Sequence, residues 1–279
     1  MKKIICIMML LCSQAYGSQF LTLISDIDDT VKMTALKASK KYFTWYGPGS
    51  VPFYGISDLY TYFLCHDVIQ KKVCVDSRAN DQTFRGMIYV TGAPPGVHRL
   101  GLHFLNKHNF PSHKNVVYKP KLRLSTYEYK KKVISDIISI YPNKPYILLG
   151  DNGEYDSKAY RDVKKRLPSQ VKDIFIHYVY PTKGEHHKIE DGQIAYLTAV
   201  DLGIHFLNKG LIDEGDLEKI IHGSLLNLNN KMTYVLRDWM VCKDFFRKNY
   251  FPTLNGKNNR LNPIVEQFKK KLLAHERCQ

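Results

Sequence analysis

Four apolar runs along the chain stop abruptly at polar or glycine-rich turns: LTLIS before Asp26, GMIYV before Thr91, YILLG before Asp151, and DIFIHYV from Asp173. Runs this short, apolar at both odd and even positions, predict strands buried on both faces, as in a parallel sheet. Between them, apolar residues recur at helical spacing in ISDLYTYFL (residues 56–64), GVHRLGLHFLNKH (96–108) and YEYKKKVISDIISIY (127–141). Alternation of such strands and helices predicts an α/β fold with an open, Rossmann-like parallel sheet.

The pattern changes after about Tyr180. AYLTAVDLGIHFLNKG, DEGDLEKIIHGSLLNL and PIVEQFKKKLLAHE all carry helical spacing, so residues 185–279 are expected to form a C-terminal helical extension on a domain spanning 18–184. Gly184 and the charged stretch EHHKIEDG mark the junction, where His186 and His187 are expected to be solvated loop residues. No internal repeat or low-complexity tract interrupts the chain.

The first residues change the picture of where the protein works. Lys2 and Lys3 precede IICIMMLLC (residues 4–12), an apolar stretch too short to span a bilayer. Ala15 and Gly17 then place small residues where a signal peptidase reads, which predicts a signal peptide at 1–17, a secreted or periplasmic location, and no transmembrane segment in the mature chain. The full chain carries 41 basic and 26 acidic residues, +15 in all. Without Lys2 and Lys3 the balance is 39 against 26, or +13, an excess that favours anionic partners such as phosphate esters or anionic lipid surfaces. No nucleic-acid partner is expected. Four cysteines remain, Cys65, Cys74, Cys242 and Cys278, and in an oxidising compartment an even count predicts two disulfides, Cys65–Cys74 and Cys242–Cys278. No pair of cysteines or histidines shows zinc spacing.

Candidate chemistry begins at LTLISDIDDTVK, where Asp26, Asp28 and Asp29 follow a strand directly. Carboxylates this close repel unless a cation sits against them. A calcium loop counted from Asp26 would need glycine at its sixth position and glutamate at its twelfth, where the chain has Val31 and Lys37. Metal-assisted phosphoryl transfer fits better. A carboxylate leaving the C-terminal end of a parallel strand lies in the crevice where such sheets bind ligands. Asp26 there is placed to attack phosphorus and Asp28 to exchange a proton with the leaving alcohol and then with water. Magnesium suits a few carboxylates plus substrate phosphate and water. Asp151 and Asp156 in YILLGDNGEYD supply a second acidic turn, Thr91 in IYVTG a hydroxyl at a strand end, and Lys130, Lys131 or Lys132 a cation.

The order of acid pair, threonine, lysine and acidic turn resembles the haloacid dehalogenase superfamily of phosphatases. Within it the stretches SDIDDTVK, FYGISDLY, VTGAPPGV, HFLNKHNFP and IYPNKPYILLGDNGEYDSKAY resemble the actin-patch-associated phosphatidate phosphatase family and its bacterial relatives, over roughly residues 21–180. The resemblance implies a haloacid-dehalogenase-type sheet and a Mg2+-dependent phosphatase. It makes Asp26 the nucleophile and Asp28 the general acid/base, and Thr91 and a lysine bind the phosphoryl group. Asp26, the Asp28 backbone carbonyl and Asp151 hold the metal, with Asp156 orienting that shell. The interval to Tyr141-Pro142 favours Lys130 over its two neighbours. One departure stands out: relatives have a serine-rich turn ending in Pro-Trp where this chain reads Thr91-Gly92-Ala93-Pro94-Pro95. The loop that meets the substrate therefore differs. Three readings follow: a phosphatase for phosphatidate or a related lipid at a membrane surface, a phosphatase for a soluble phosphate ester, and a basic interaction protein without turnover. The aromatic stretch at residues 41–55 is a candidate membrane-facing lip.

Overall fold

The computed structural model describes residues 21–34, 50–66, 85–93, 96–120, 123–183, 187–230, 234–237, 240–275 and 278. The expected signal peptide, most of the aromatic stretch at 41–55, and Cys74 lie outside them.

Strands β1 (Thr22–Ser25), β2 (Gly86–Thr91), β3 (Val116–Tyr118), β4 (Tyr146–Asp151), β5 (Val171–His177) and β6 (Ile194–Tyr196) form one sheet in the order β3-β2-β1-β4-β5-β6. Every pairing is parallel. The alternation of strand side chains divides the core in two. Ile24, Val90, Leu148 and Ile174 pack with Ile134 and Ile138 of helix α3 (Thr126–Ile140) and Val163 of α4 (Asp156–Arg166). Leu23, Met87, Leu149 and Phe175 face the other way, onto α1 (Ile56–Leu64), α2 (His98–Lys107) and the C-terminal helices. The expected α/β class with an open parallel sheet is what the chain adopts.

Two strands escape the sequence pattern. β3 has three residues. β6 begins at Ile194 and runs into AYLTAVDLG, which was expected to be helical; helix α5 (Ala199–Asn208) starts only after Thr198. There the Thr198 side chain accepts from Val200 N–H while the Asp201 carboxylate accepts from Thr198 N–H at 2.8 Å, a capping box that fixes the helix start. Helices α6 (Glu214–Asn227), α7 (Cys242–Arg247) and α8 (Asn262–Ala274) follow, the last opened by a proline in its first turn. Leu217, Ile221, Phe268 and Leu272 share one continuous apolar core with Leu23 and Met87 of the sheet. Cys242 is disulfide-bonded to Cys278, as expected, and this ties the end of the chain to α7. Cys65 is also disulfide-bonded.

Candidate active site

In this strand order the chain runs outward in opposite directions from the β1–β4 pair, and at such a reversal the loops leaving the C-terminal strand ends open a crevice. Asp26 follows β1 and Asp151 ends β4, so both carboxylates enter that crevice from adjacent strands. The Asp26 N–H donates to Leu149 O at 2.8 Å, which locks the two strand ends together.

Asp26, Asp151 and Asp156 are buried, with one oxygen from each lying within 4.8 Å of the others. Lys130, itself buried, donates to Asp26 Oδ1 at 2.8 Å and to Asp156 Oδ1. Its neighbours turn outward: Lys131 pairs with Glu128 and Lys132 with Asp136 at the surface. The Asp156 side chain also accepts from Asp151 N–H at 3.3 Å, and Asp151 Oδ1 accepts from Gly153 N–H at 2.5 Å. This close packing needs glycine at position 150. A Cβ there would stand 2.5 Å from Asp156 Oδ2 and 2.6 Å from Asp156 Cβ.

Burial pushes Asp26 and Asp151 well above the usual carboxylate range, and raises Asp156; Lys130 pulls all three back only in part. For Lys130 burial acts downward, but Asp156 and Asp26 outweigh it and hold its pKa well above the ordinary lysine value. Three ionised carboxylates and one ammonium leave two negative charges in a buried site. A divalent cation fits this donor set, because it balances that charge with hard oxygen ligands.

Asp28 lies to one side of this cluster. Its Oδ2 accepts from Thr91 Oγ1 at 3.4 Å, and Lys32 Nζ lies 3.7 Å from its Oδ1. Burial pushes its pKa up to about 6, against the pull of Lys32. Asp28, Lys32 and Thr91 line a narrow cleft together with Ile27, Ala93, Val97 and Gly101. Of the residues singled out from sequence, the structure thus joins Asp26, Asp151, Asp156 and Lys130 in one cluster and Asp28 with Thr91 in an adjoining one.

The third aspartate of the opening triplet has a different job. Asp29 adopts a left-handed backbone, φ 57°. Its Oδ1 accepts from the N–H and hydroxyl of Thr34, both at 2.9 Å, and its Oδ2 accepts from Tyr180 OH at 2.6 Å. His177 Nδ1 lies 2.8 Å from the Asp29 carbonyl oxygen and its Nε2 3.0 Å from that of Leu197. Asp29 therefore ties the turn that carries Asp28 to the ends of β5 and β6. Asn152 does the same for the second acidic turn. Its Oδ1 accepts from Val179 and Tyr180 N–H at 2.9 Å, and its carbonyl lies 2.7 Å from His187 Nδ1. His187 is thus a half-buried tether and not the solvated residue expected. Neither Asn152 nor His177 was singled out from sequence; the one signal was that Asn152 directly follows Asp151, while His177 meets Asp151 only through the register of β4 with β5.

Residues 21–178 match the family model described as "Phosphatidate phosphatase APP1, catalytic domain". Phosphatidate phosphatase APP1 of Saccharomyces cerevisiae is 30% identical over 168 residues, which are 55% of this chain and 25% of that protein. The alignment spans about a quarter of the length of that relative. No solved structure matches. Among the described residues, no helix is long and apolar enough to cross a membrane.

Proposed function

Because the chain belongs to the family of the phosphatidate phosphatase APP1 catalytic domain, we propose that it is an exported Mg2+-dependent phosphatase that hydrolyses a phosphomonoester through an aspartyl-phosphate. The observation that carries this reading is the buried Asp26–Lys130–Asp156 ion-pair chain, with Asp151 beside it, at the mouth of β1 and β4.

In this reading an Asp26 carboxylate oxygen attacks phosphorus and the phosphorus–oxygen bond to the leaving alcohol breaks. Asp28 gives that oxygen its proton. A water then attacks the aspartyl-phosphate, Asp28 takes a proton from it, and inorganic phosphate departs with Asp26 regenerated. Lys130 holds Asp26 in one rotamer and offsets negative charge as the phosphoryl group arrives. Thr91, whose hydroxyl donates to Asp28, would turn that donation to a phosphoryl oxygen when substrate arrives. Asp26, Asp151 and the Asp28 carbonyl would hold Mg2+, with Asp156 orienting them. The metal supplies positive charge against the phosphoryl oxygens.

The cleft beside Asp28 lies on the leaving-group side. Ile27, Ala93, Val97 and Gly101 make much of its wall apolar, so an apolar part of a leaving group fits against it while the rest of the substrate stays outside. This supports phosphatidate or a related lipid, with its chains left in the bilayer. A soluble ester fits the same space, and the Thr91-Gly92-Ala93-Pro94-Pro95 departure favours keeping that second reading. The Cys242–Cys278 disulfide supports a secreted or periplasmic location.

The test is phosphate release from phosphatidate vesicles, nucleotides and sugar phosphates, each with Mg2+ and with chelator, alongside Asp26→Asn. Turnover confined to Mg2+ and absent from the variant supports the proposal. Full turnover by a folded Asp26→Asn protein would overturn the covalent mechanism.

A further inference from the structure

We propose that Lys119 and Thr126, beside Gly92 at the rim of the crevice, form a second subsite that binds a phosphate-type oxyanion of the substrate; this rests on the phosphatase reading above.

The sheet places the pair. Tyr118, the last residue of β3, is the register partner of Thr91 on β2, so Lys119 is the first residue beyond the same sheet edge from which Asp26 and Asp151 emerge. Pro120 follows and disfavours helical backbone at Lys119. The Lys119 side chain is folded inward: the residue is 8% exposed. Its recorded polar contact is a long one, 3.4 Å to Thr126 Oγ1. Among the described residues no carboxylate lies within ion-pair distance of it. A buried ammonium without a counter-charge is costly, and a site that is completed by an anion from outside relieves that cost only when the ligand is bound.

The neighbouring backbone has the matching polarity. Thr126 opens α3, a helix of 15 residues, and Ser125 at its N-cap makes no side-chain capping bond. First-turn N–H groups of such a helix favour an anion, and Lys119 stands at that same end. Gly92 connects this corner to the reaction centre. It follows Thr91, whose hydroxyl bonds Asp28, and a Cβ on Gly92 would come 2.7 Å from Thr126 Cγ2. That point is also 3.4 Å from Glu154 Oε2. Glu154 makes no ion pair with Lys119, so its carboxylate does not neutralise that ammonium.

The oxyanion has two possible sources with one chemistry: the phosphoryl group to be transferred, or a second phosphate on the leaving portion. Lys119→Met, Lys119→Arg and Thr126→Val are compared with the unaltered protein on p-nitrophenyl phosphate and on a sugar bisphosphate. The melting temperature is also followed against inorganic phosphate. For Lys119→Met we expect KM to rise about tenfold or more with kcat within threefold, and Lys119→Arg to recover most of the loss. Without phosphate the Met variant should melt no lower than the unaltered protein, since it removes an uncompensated charge, and its phosphate-induced shift should fall by at least half. A KM rise on both esters assigns the transferred phosphoryl; a rise on the bisphosphate alone assigns the second phosphate. KM values and phosphate shifts within twofold of the unaltered protein in the Met and Val variants overturn the subsite, as does an Arg variant no better than Met. If Lys119→Met does not fold, Thr126→Val carries the same comparison without touching a charge. If the unaltered protein releases phosphate from no ester, the phosphatase reading fails by itself, and the phosphate-induced shift still decides the subsite.

Discussion

Lys130 and Asp156 form an ion pair in which both side chains are almost wholly removed from solvent, at 1% and 0% exposure. Asp26 shares the same ammonium, so removing it strands carboxylates in a buried site. Removing one partner of a buried pair typically costs about 3–5 kcal/mol. Lys130→Met is therefore expected to lower the unfolding free energy by about that much in urea with chelator present, and to abolish turnover. Lys131→Met and Lys132→Met remove exposed cations and should stay within about 0.5 kcal/mol. Equal effects from all three would reassign the central cation.

Metal removal should act on stability as well as on rate. Because Asp26, Asp151 and Asp156 converge only in the folded chain, a divalent cation that binds them there raises the melting temperature in proportion to the logarithm of its concentration. We expect chelator to stop phosphate release and lower Tm, and Mg2+ to restore both. In Asp151→Asn the Mg2+-dependent part of the Tm should shrink to near zero. A Tm that ignores Mg2+ in the unaltered protein, measured by scanning calorimetry, would remove the cation from the site.

The pH profile should report Asp28. Burial raises its pKa to about 6. The group is protonated below that value and ionised above it, so a general acid needed for the leaving alcohol is present on the acid side and lost as pH rises through about 6. The kcat/KM profile for a soluble ester should accordingly bend downward on its alkaline side, since that ratio reports the free enzyme. Asp28→Asn should be slower by about 10²–10⁴-fold, the usual size of such catalysis, and should lack that bend. A retained bend in the variant would assign the acid to another group.

How far the sequence carried can be seen in two helices. In α3, Lys130, Ile134 and Ile138 are all buried, and their spacing of four places them on one stripe of the helix. Lys131 and Lys132 are rotated from that stripe by about 100° and 200°. The choice among three lysines was therefore legible from the phase of the isoleucines. In α5 the boundary was missed because AYLTAVDLG is mostly apolar, and apolar runs do not separate strand from buried helix. Thr198 with Asp201 three residues on was the capping signal that marks the true start. β3 and β6 carry three residues each, too few to show a period. The tethers made by Asn152, His177 and Asp29 depend on chain crossings between distant strand ends, which no local pattern encodes. Asp26, Thr91 and Asp151 were readable because each ends or directly follows a strand, and Asp28 because it lies two residues beyond Asp26.

The Cys242–Cys278 disulfide closes a separation of 36 residues. In the chain-entropy account a loop of that size restricts the unfolded chain by about 4 kcal/mol. Phe268 and Leu272 are buried between those cysteines, so the bond holds α8 against the sheet core. Cys242→Ser with Cys278→Ser is expected to lower the unfolding free energy by about 2–4 kcal/mol while leaving kcat on a soluble ester within twofold, because the bond lies far along the chain from the acid cluster. A large loss of kcat in a folded double variant would connect the C-terminal helices to catalysis.

Salt separates the two substrate readings. If the substrate is a lipid in an anionic bilayer, the enzyme must reach the surface before chemistry begins. Without Lys2 and Lys3 of the expected signal peptide the chain carries 39 basic and 26 acidic residues, a formal charge of +13, and such attraction is screened over about 8 Å at physiological ionic strength. Hydrolysis of phosphatidate in vesicles should therefore fall several-fold between low and physiological salt, while hydrolysis of a small soluble ester in the same buffer changes much less. The paired assay matters because salt and Mg2+ act on the shared acid cluster in both. Tyr118 at the end of β3 and Tyr155 beyond the end of β4, 43% and 54% exposed, give a second handle. Their replacement by serine should lower vesicle turnover and spare the soluble ester, since exposed aromatic rings favour the interfacial layer of a bilayer. If both substrates respond in parallel, or phosphatidate is not cleaved at all, the substrate is a soluble ester and the basic surface serves some other anion.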